Sequence, residues 1–306
     1  MKILLRIACM LAALAVAACA VFYFYPLWVA DQITGYSLWR QGVHNRYASV
    51  QGYRIHYFEA GPANGVPLVL IHGLGSRAED WAPLIPGLAA AGFHVYAPDL
   101  LGYGRSARPP AVHYSIPLEE SIVVGFMQSL HLIHADVDGW SMGGWIAAKL
   151  ALDYPSLVNR LVLDDSAGIT FQPRFARTAF VPTTPAGLRR LFVLLTPKPP
   201  TLPGFVVRAT LRRLAYGGKI VQQTMDSMES GADLLDSRLH NLTQPTLITW
   251  GAQDNLIPLA VGEAIHRDIP NSTLVPIPGC GHLAPRECPA PVLAATLHFL
   301  NSAAPQ

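Results

Sequence analysis

Ala135-Asp136-Val137-Asp138-Gly139-Trp140-Ser141-Met142-Gly143-Gly144 runs straight into Trp145-Ile146-Ala147-Ala148-Lys149-Leu150-Ala151. The first part starts as a short strand, Ala135 to Asp138, and the part from Ser141 to Asp153 reads as a helix. Only a sharp turn can join the two. Gly-x-Ser-x-Gly is the pattern of such a turn, because side chains at the flanking positions would clash. The turn strains Ser141 and projects it from the C-terminal edge of a sheet, where a serine is a candidate nucleophile.

The surrounding sequence supplies that sheet. Tyr53 to Phe58 alternates like a strand and is followed by a turn at Gly61 to Gly65. Val66 to Ile71 is a continuous apolar run, as expected of a strand covered on both faces. Phe93 to Ala97, Arg160 to Leu163, Thr246 to Trp250 and Thr273 to Ile277 repeat the pattern. Helices are expected at Trp81 to Ala91 and Leu118 to His131, and after Pro289 and Pro291 through Leu293, Leu297 and Leu300. Strand alternating with helix predicts a mostly parallel sheet with helices on both faces. The alternation stops between Ile169 and His240. That insert holds eight arginines and two lysines against Asp226, Glu229, Asp233 and Asp236, and it reads as a helical cap. No internal repeat or low-complexity segment is present.

A serine hydroxyl needs a base to act as a nucleophile at neutral pH. His282, in Pro278-Gly279-Cys280-Gly281-His282, follows the last strand on a glycine-flanked loop at the same sheet edge. His44, His56, His113, His131 and His134 lack such a setting and read as structural. Asp254, in Gly251-Ala252-Gln253-Asp254-Asn255, is the candidate to orient the imidazole, with Asp164 and Asp165 in reserve. The developing oxyanion needs donors, and the backbone N–H groups of Leu74 and Met142 are the candidates. His72 reads as a structural hydrogen-bonder. Cys280 and Cys288 flank His282 eight positions apart. A disulfide there would brace the loop, but the favoured reading is a small buried residue.

Composition narrows the function classes. The 22 basic and 20 acidic residues nearly cancel, which argues against a nucleic-acid partner. Four cysteines without a Cys-x-x-Cys pair argue against a zinc site or a disulfide scaffold. Lys2 and Arg6 precede an uncharged stretch from Ile7 to Ala30, long enough to span a bilayer. A cleaved signal peptide would leave Val21 to Trp28 as a poor soluble start, and the same sequel argues against a lipoprotein site at Val16-Ala17-Ala18-Cys19. The preferred reading is a single-pass anchor with Tyr23, Tyr25 and Trp28 at the far interface. The early basic residues favour a cytoplasmic N-terminus and a catalytic domain on the non-cytoplasmic side. The segments are then anchor (1–30), core (31–168), helical cap (169–240) and core (241–306). In the cap, Leu188, Leu191, Phe192 and Leu195 form an apolar stripe beside Arg189 and Arg190, with Arg208, Arg212 and Arg213 on the next run. This stripe either lies in the headgroup region or packs on the core.

Five ordered motifs resemble the α/β-hydrolase superfamily over about Tyr53 to Leu300. They are His72-Gly73-Leu74-Gly75, Pro98-Asp99-Leu100-Leu101-Gly102-Tyr103-Gly104-Arg105-Ser106, the Ser141 turn, Gly251 to Asp254, and Gly281-His282. The resemblance implies an α/β fold with a mostly parallel eight-stranded sheet and helices on both faces, to which the sequence adds the helical cap and the N-terminal membrane helix read above. It implies Ser141, Asp254 and His282 as catalytic residues, with Asp99, Gly102, Gly104 and Ser106 shaping a loop. Asp165-Ser166-Ala167-Gly168 and Val181-Pro182-Thr183-Thr184-Pro185 are similar to segments of membrane-anchored monoacylglycerol lipases. Asp138 stands where the family usually has an apolar residue.

The expected function is hydrolysis of lipid-like carboxylic esters such as monoacylglycerols through an acyl-enzyme. No cofactor or metal is expected, nor a nucleic-acid or protein partner; the expected partners are a small ester or lipid substrate and membrane lipids. The alternatives are a C–C bond hydrolase of ring-cleavage products, against which the anchor argues, and an inactive membrane-anchored binding module.

Overall fold

A computed structural model of the chain describes residues 1–302. Residues 303–306, the end of the second core segment, lie outside the described residues. Eight strands form one sheet: β1 (His44–Val50), β2 (Tyr53–Ala60), β3 (Val66–Ile71), β4 (Phe93–Pro98), β5 (Ala135–Trp140), β6 (Val158–Asp164), β7 (Thr246–Gly251) and β8 (Ser272–Ile277). Their spatial order is β1-β2-β4-β3-β5-β6-β7-β8. β2 runs antiparallel to both neighbours, and from β4 to β8 every pair is parallel. β5, which leads to Ser141, is buried along its whole length near the middle of the sheet.

Helices cover both faces, as the alternation predicts. They are α3 (Ile85–Ala90), α4 (Ile116–Ser129), α5 (Met142–Asp153), α8 (Leu259–Asp268), α9 (Ala284–Glu287) and α10 (Pro289–Asn301). Ser115 caps α4 by accepting the Leu118 N–H, with a proline in the first turn. The helix expected over Trp81 to Ala91 is instead a 3-10 turn (Ala78–Trp81) followed by the short α3. Pro83 and Pro86 remove amide donors, so a continuous helix cannot form there.

Between β6 and β7 the described chain holds α6 (Pro185–Leu195) and α7 (Gly204–Glu229). Thr184 caps α6 through the Gly187 N–H and Pro185 opens it, which gives the Val181-to-Pro185 segment a local structural reason. Leu188 and Leu191 are buried, so this part of the apolar stripe packs inward.

The uncharged N-terminal stretch is not one helix. α1 (Lys2–Phe24) is long and apolar enough to cross a membrane, and none of its residues is buried. It ends at Tyr25, and Pro26 opens α2 (Pro26–Arg40). α2 turns Leu38 and half-buried Asp31 inward and leaves Trp28, Ile33, Tyr36 and Trp39 exposed. Phe205 of α7 stacks on Tyr23 at 5.2 Å between ring centroids and meets Phe22 edge-on at 5.5 Å. The cap and the end of α1 therefore lie on one side of the molecule.

The loop after β4 hangs on one buried carboxylate. Asp99 Oδ1 accepts the Ala78 N–H at 2.7 Å, and Oδ2 accepts from Arg105 N at 2.8 Å and His56 Nδ1 at 2.7 Å. A Cβ on Gly104 would lie 2.1 Å from this carboxylate, so only glycine fits. Ser106 Oγ donates to the Asp99 carbonyl and accepts the His56 N–H. Burial would raise the Asp99 pKa, but the His56 hydrogen bond and charge and the Arg105 N–H outweigh it and hold it below its ordinary value of 3.8. Its stabilisation is thus present above pH 3.8 and lost as pH falls through the lower folded value. Asp99→Ala is expected to cost about 3–5 kcal/mol in urea unfolding at pH 7, because buried donors lose their acceptor. The difference from wild type should shrink as pH drops below about 4.

Candidate active site

Ser141 sits between β5 and α5 at φ 59° and ψ −119°. Its N–H donates to the Asp164 carbonyl at 2.9 Å, and its carbonyl accepts the Ala167 N–H at 3.0 Å. A Cβ on Gly139 would fall 2.3 Å from the Gly143 carbonyl oxygen, and one on Gly143 would fall 2.0 Å from that of Ile71. Both glycines are required by backbone approach, as the sequence pattern implies.

The structure brings Ser141, His282 and Asp254 together. His282 Nε2 lies 2.9 Å from Ser141 Oγ, and Nδ1 lies 2.7 Å from Asp254 Oδ2. Asp254 Oδ1 accepts the Leu256 and Ile257 N–H groups at 2.7 and 2.9 Å, which fixes the carboxylate plane. His282 and Asp254 are buried, while Ser141 is partly exposed. With Nδ1 donating to the carboxylate, Nε2 is free to accept the serine proton. Among the described residues, neither the Leu74 nor the Met142 N–H is bonded to a protein acceptor. Met142 opens α5, whose first amides are free by helix geometry.

The reserve acids do not bond to His282. Asp165 Oδ1 accepts the Gly251 N–H at 2.7 Å, and burial and neighbouring Asp254 push its carboxyl well up. Asp164 accepts from Thr249 Oγ1, and burial raises it to about 7. Burial, then the charge of Asp164, also pushes Asp138 well above its ordinary value. Asp138 and Asp165 are therefore held toward their protonated forms, while Asp164 titrates near neutral pH. Asp165, Asp254 and His282 hold potential metal-ligand atoms within 4.8 Å of one another. Their protein hydrogen bonds already occupy His282 Nδ1, both Asp254 oxygens and one Asp165 oxygen.

His72 is buried, with Nδ1 donating to the Gly73 carbonyl at 2.8 Å and Nε2 accepting the Leu100 N–H at 3.0 Å. Burial pushes its pKa down, so it stays neutral and ties the Leu74 loop to the loop after β4. His56 is likewise structural, as its bond to Asp99 shows.

The insert meets the loops around the site. Val221 and Ile220 of α7 lie beside Gly75 and Gly102, and the Leu195 carbonyl approaches Gly281. Trp145 Nε1 donates to the Asp233 carbonyl at 2.9 Å, which pins the end of the insert over α5.

The family model for the alpha/beta hydrolase fold matches residues 66–287. The chain belongs to the α/β-hydrolase family. Lipase 1 of Psychrobacter immobilis is 28% identical over 246 residues, covering 76% of each chain. The 2-hydroxymuconate semialdehyde hydrolase of Pseudomonas putida is 32% identical over 251 residues, covering 76% of this chain and 85% of its own. The crystal structure of a membrane phospholipase A described as a bacterial virulence factor superposes with a TM-score of 0.82 at 26% identity. That match covers 98% of both chains, so it includes the N-terminal helices. These relatives support a hydrolase of ester type, while C–C bond hydrolases are also near.

In this α/β-hydrolase the histidine loop is cross-linked. Cys280 and Cys288 form a disulfide with a Cα–Cα distance of 6.2 Å, which corrects the expectation of unlinked small residues. Spacing alone could not reveal it: the turn at α9 brings the two cysteines together across His282. Glu287 within the bridged segment accepts from Gly281 N and from Thr196 Oγ1 at the end of α6. Replacing both cysteines by alanine is expected to cost about 2–3 kcal/mol, the loop-closure entropy of so short a segment. The check is the melting temperature of wild type and variant without reductant; reductant should lower only the wild type.

Proposed function

We propose that this protein is a serine ester hydrolase acting on lipid-like esters, monoacylglycerols among them. The observation that carries the reading is the continuous hydrogen-bond path from Ser141 Oγ through His282 to Asp254, beside the two free backbone N–H groups. Ser141 Oγ attacks the ester carbonyl while His282 Nε2 takes its proton. The oxyanion forms opposite the Leu74 and Met142 N–H groups, whose preorganised dipoles stabilise it. The tetrahedral adduct collapses, and His282 returns the proton to the departing alcohol. Water then enters, gives a proton to His282 and cleaves the acyl-enzyme, restoring Ser141. Asp254 keeps the imidazole in the required tautomer and stabilises the imidazolium.

A lipid substrate is supported by three features. Apolar side chains of α7 lie beside the loops flanking the site, α1 is an apolar helix of spanning length that touches the cap, and the phospholipase similarity extends over that helix. We infer that α1 anchors the protein, with residues 1–30 as the anchor segment and 169–240 as the cap. The exposed Trp28, Tyr36 and Trp39 of α2 suit the adjoining interface. The Cys280–Cys288 bridge fits an oxidising compartment, which supports a catalytic domain on the non-cytoplasmic side.

The second reading is C–C bond hydrolysis, favoured by the 32% identity to the Pseudomonas putida enzyme. One comparison separates the readings: turnover of p-nitrophenyl esters, monoacylglycerols, a phospholipid and a dienone ring-cleavage acid by the purified full chain. Esters are expected to turn over faster by at least about tenfold in kcat/KM; a dienone that outruns every ester would replace the proposal. Ser141→Ala and His282→Ala should each lower kcat by about 10⁴–10⁶, and Asp254→Asn by about 10³–10⁴. If Asp254→Asn stays active while Asp165→Asn does not, the acid is misassigned.

A further inference from the structure

Asp31 on α2 holds two arginines from separate segments, Arg77 just after the His72-to-Gly75 loop and Arg213 on α7. Its Oδ1 accepts from Arg77 Nη2 at 2.6 Å and Arg213 Nη1 at 3.3 Å. Its Oδ2 accepts from Arg213 Nη2 at 2.7 Å and Arg77 Nη1 at 3.2 Å. Two guanidinium forks on one carboxylate fix orientation as well as distance. The Asp31 side chain is only 19% exposed and Arg77 26%, while Arg213 reaches it from the more open side at 40%.

Each arginine leads to a different part of the machinery. Arg77 follows the His72-to-Gly75 loop, whose Ser76 N–H donates back to the Gly73 carbonyl at 3.2 Å. Its own N–H donates to Asp80 Oδ2 at 3.2 Å, and Ser76 Oγ donates to the same oxygen at 2.6 Å. Asp80 Oδ1 in turn pairs with Arg286 at 2.9 Å, and Arg286 lies in α9 just past His282. Arg213 sits on α7, the helix that places Val221 beside Gly75 of the Leu74 loop and Ile220 beside Gly102. α7 also meets α1 where Arg208 donates to the Tyr23 hydroxyl at 3.2 Å. Arg208 and Arg213 are thus engaged by the N-terminal helices.

We propose that Asp31 is a positioning residue: by clamping Arg77 beside the Leu74 loop and Arg213 on the cap at once, it makes the N-terminal helix pair part of the site's geometry. Burial disfavours the charged carboxylate, but the two guanidiniums outweigh it and keep Asp31 ionised. The inference rests on the ester-hydrolase reading, because the loop it steadies carries the Leu74 N–H that would face the oxyanion. A donor that acts only on the oxyanion changes kcat and leaves ground-state binding of a small ester nearly untouched.

The test uses the full chain in detergent and a short soluble p-nitrophenyl ester. Asp31→Asn is expected to lower kcat about tenfold, a fraction of the 10²–10³ that follows loss of an oxyanion donor. KM should stay within about twofold and the melting temperature within about 3 °C. Arg77→Gln should lower kcat similarly, and the double variant should be no worse than either single one. An unchanged kcat in Asp31→Asn would overturn the inference. So would additive losses in the double variant, or a kcat loss matched by a large fall in melting temperature. A wild-type protein that hydrolyses no ester would remove the ester reading and this inference with it. Equal turnover by wild type and Asp31→Asn would remove only the inference.

Discussion

The positive-φ backbone of Ser141 is the constraint on which the rest of the structure depends. A non-glycine residue in that conformation costs on the order of 1–3 kcal/mol, so surrounding bonds must hold it. Here the end of β6 and the loop after it supply them, through Asp164 and Ala167. The same turn brings Gly143 so near the Ile71 carbonyl that no side chain fits between α5 and β3. That contact sets the start of α5 beside the Leu74 loop. One backbone arrangement thereby presents the hydroxyl and places two unbonded N–H groups near it.

Charge is distributed around this turn with economy. Asp254 is the carboxylate that reaches His282, and its other oxygen is held by two backbone amides. The neighbouring Asp138, Asp164 and Asp165 are too deeply buried to ionise together. Asp254 is the one of these carboxyls that hydrogen-bonds the imidazole. The cross-link between Cys280 and Cys288 and the bonds of Glu287 hold the imidazole's loop from the other side. Positioning of His282 thus comes from covalent, side-chain hydrogen-bond and backbone sources at once.

How much of this was legible in the sequence depended on how local the cause was. The Ser141 turn, the apolar strands and the glycine-flanked His282 loop each carry their reason within a few residues. Edge strand β1 did not stand out, because His44 to Arg46 and Tyr47 face solvent and leave almost no apolar alternation. α2 was hidden for the opposite reason: its exposed face carries Trp28, Ile33, Tyr36 and Trp39, so its pattern runs on from α1. The break at Pro26 is local, yet proline also opens helices, and only packing shows that a second helix begins there. The disulfide and the Asp31 clamp join residues through tertiary structure, which spacing does not encode.

The N-terminal helices, cap and core thus form a connected unit whose geometry converges on one hydroxyl. The central claim is that this hydroxyl carries the acyl group during turnover. Its most direct test is rapid-quench peptide mass spectrometry of the full chain while it hydrolyses a monoacylglycerol. The account predicts a transient mass increase equal to the acyl group on the peptide containing Ser141, rising and decaying with turnover. Turnover without any acylated peptide, or with the acyl group on another residue, would contradict it.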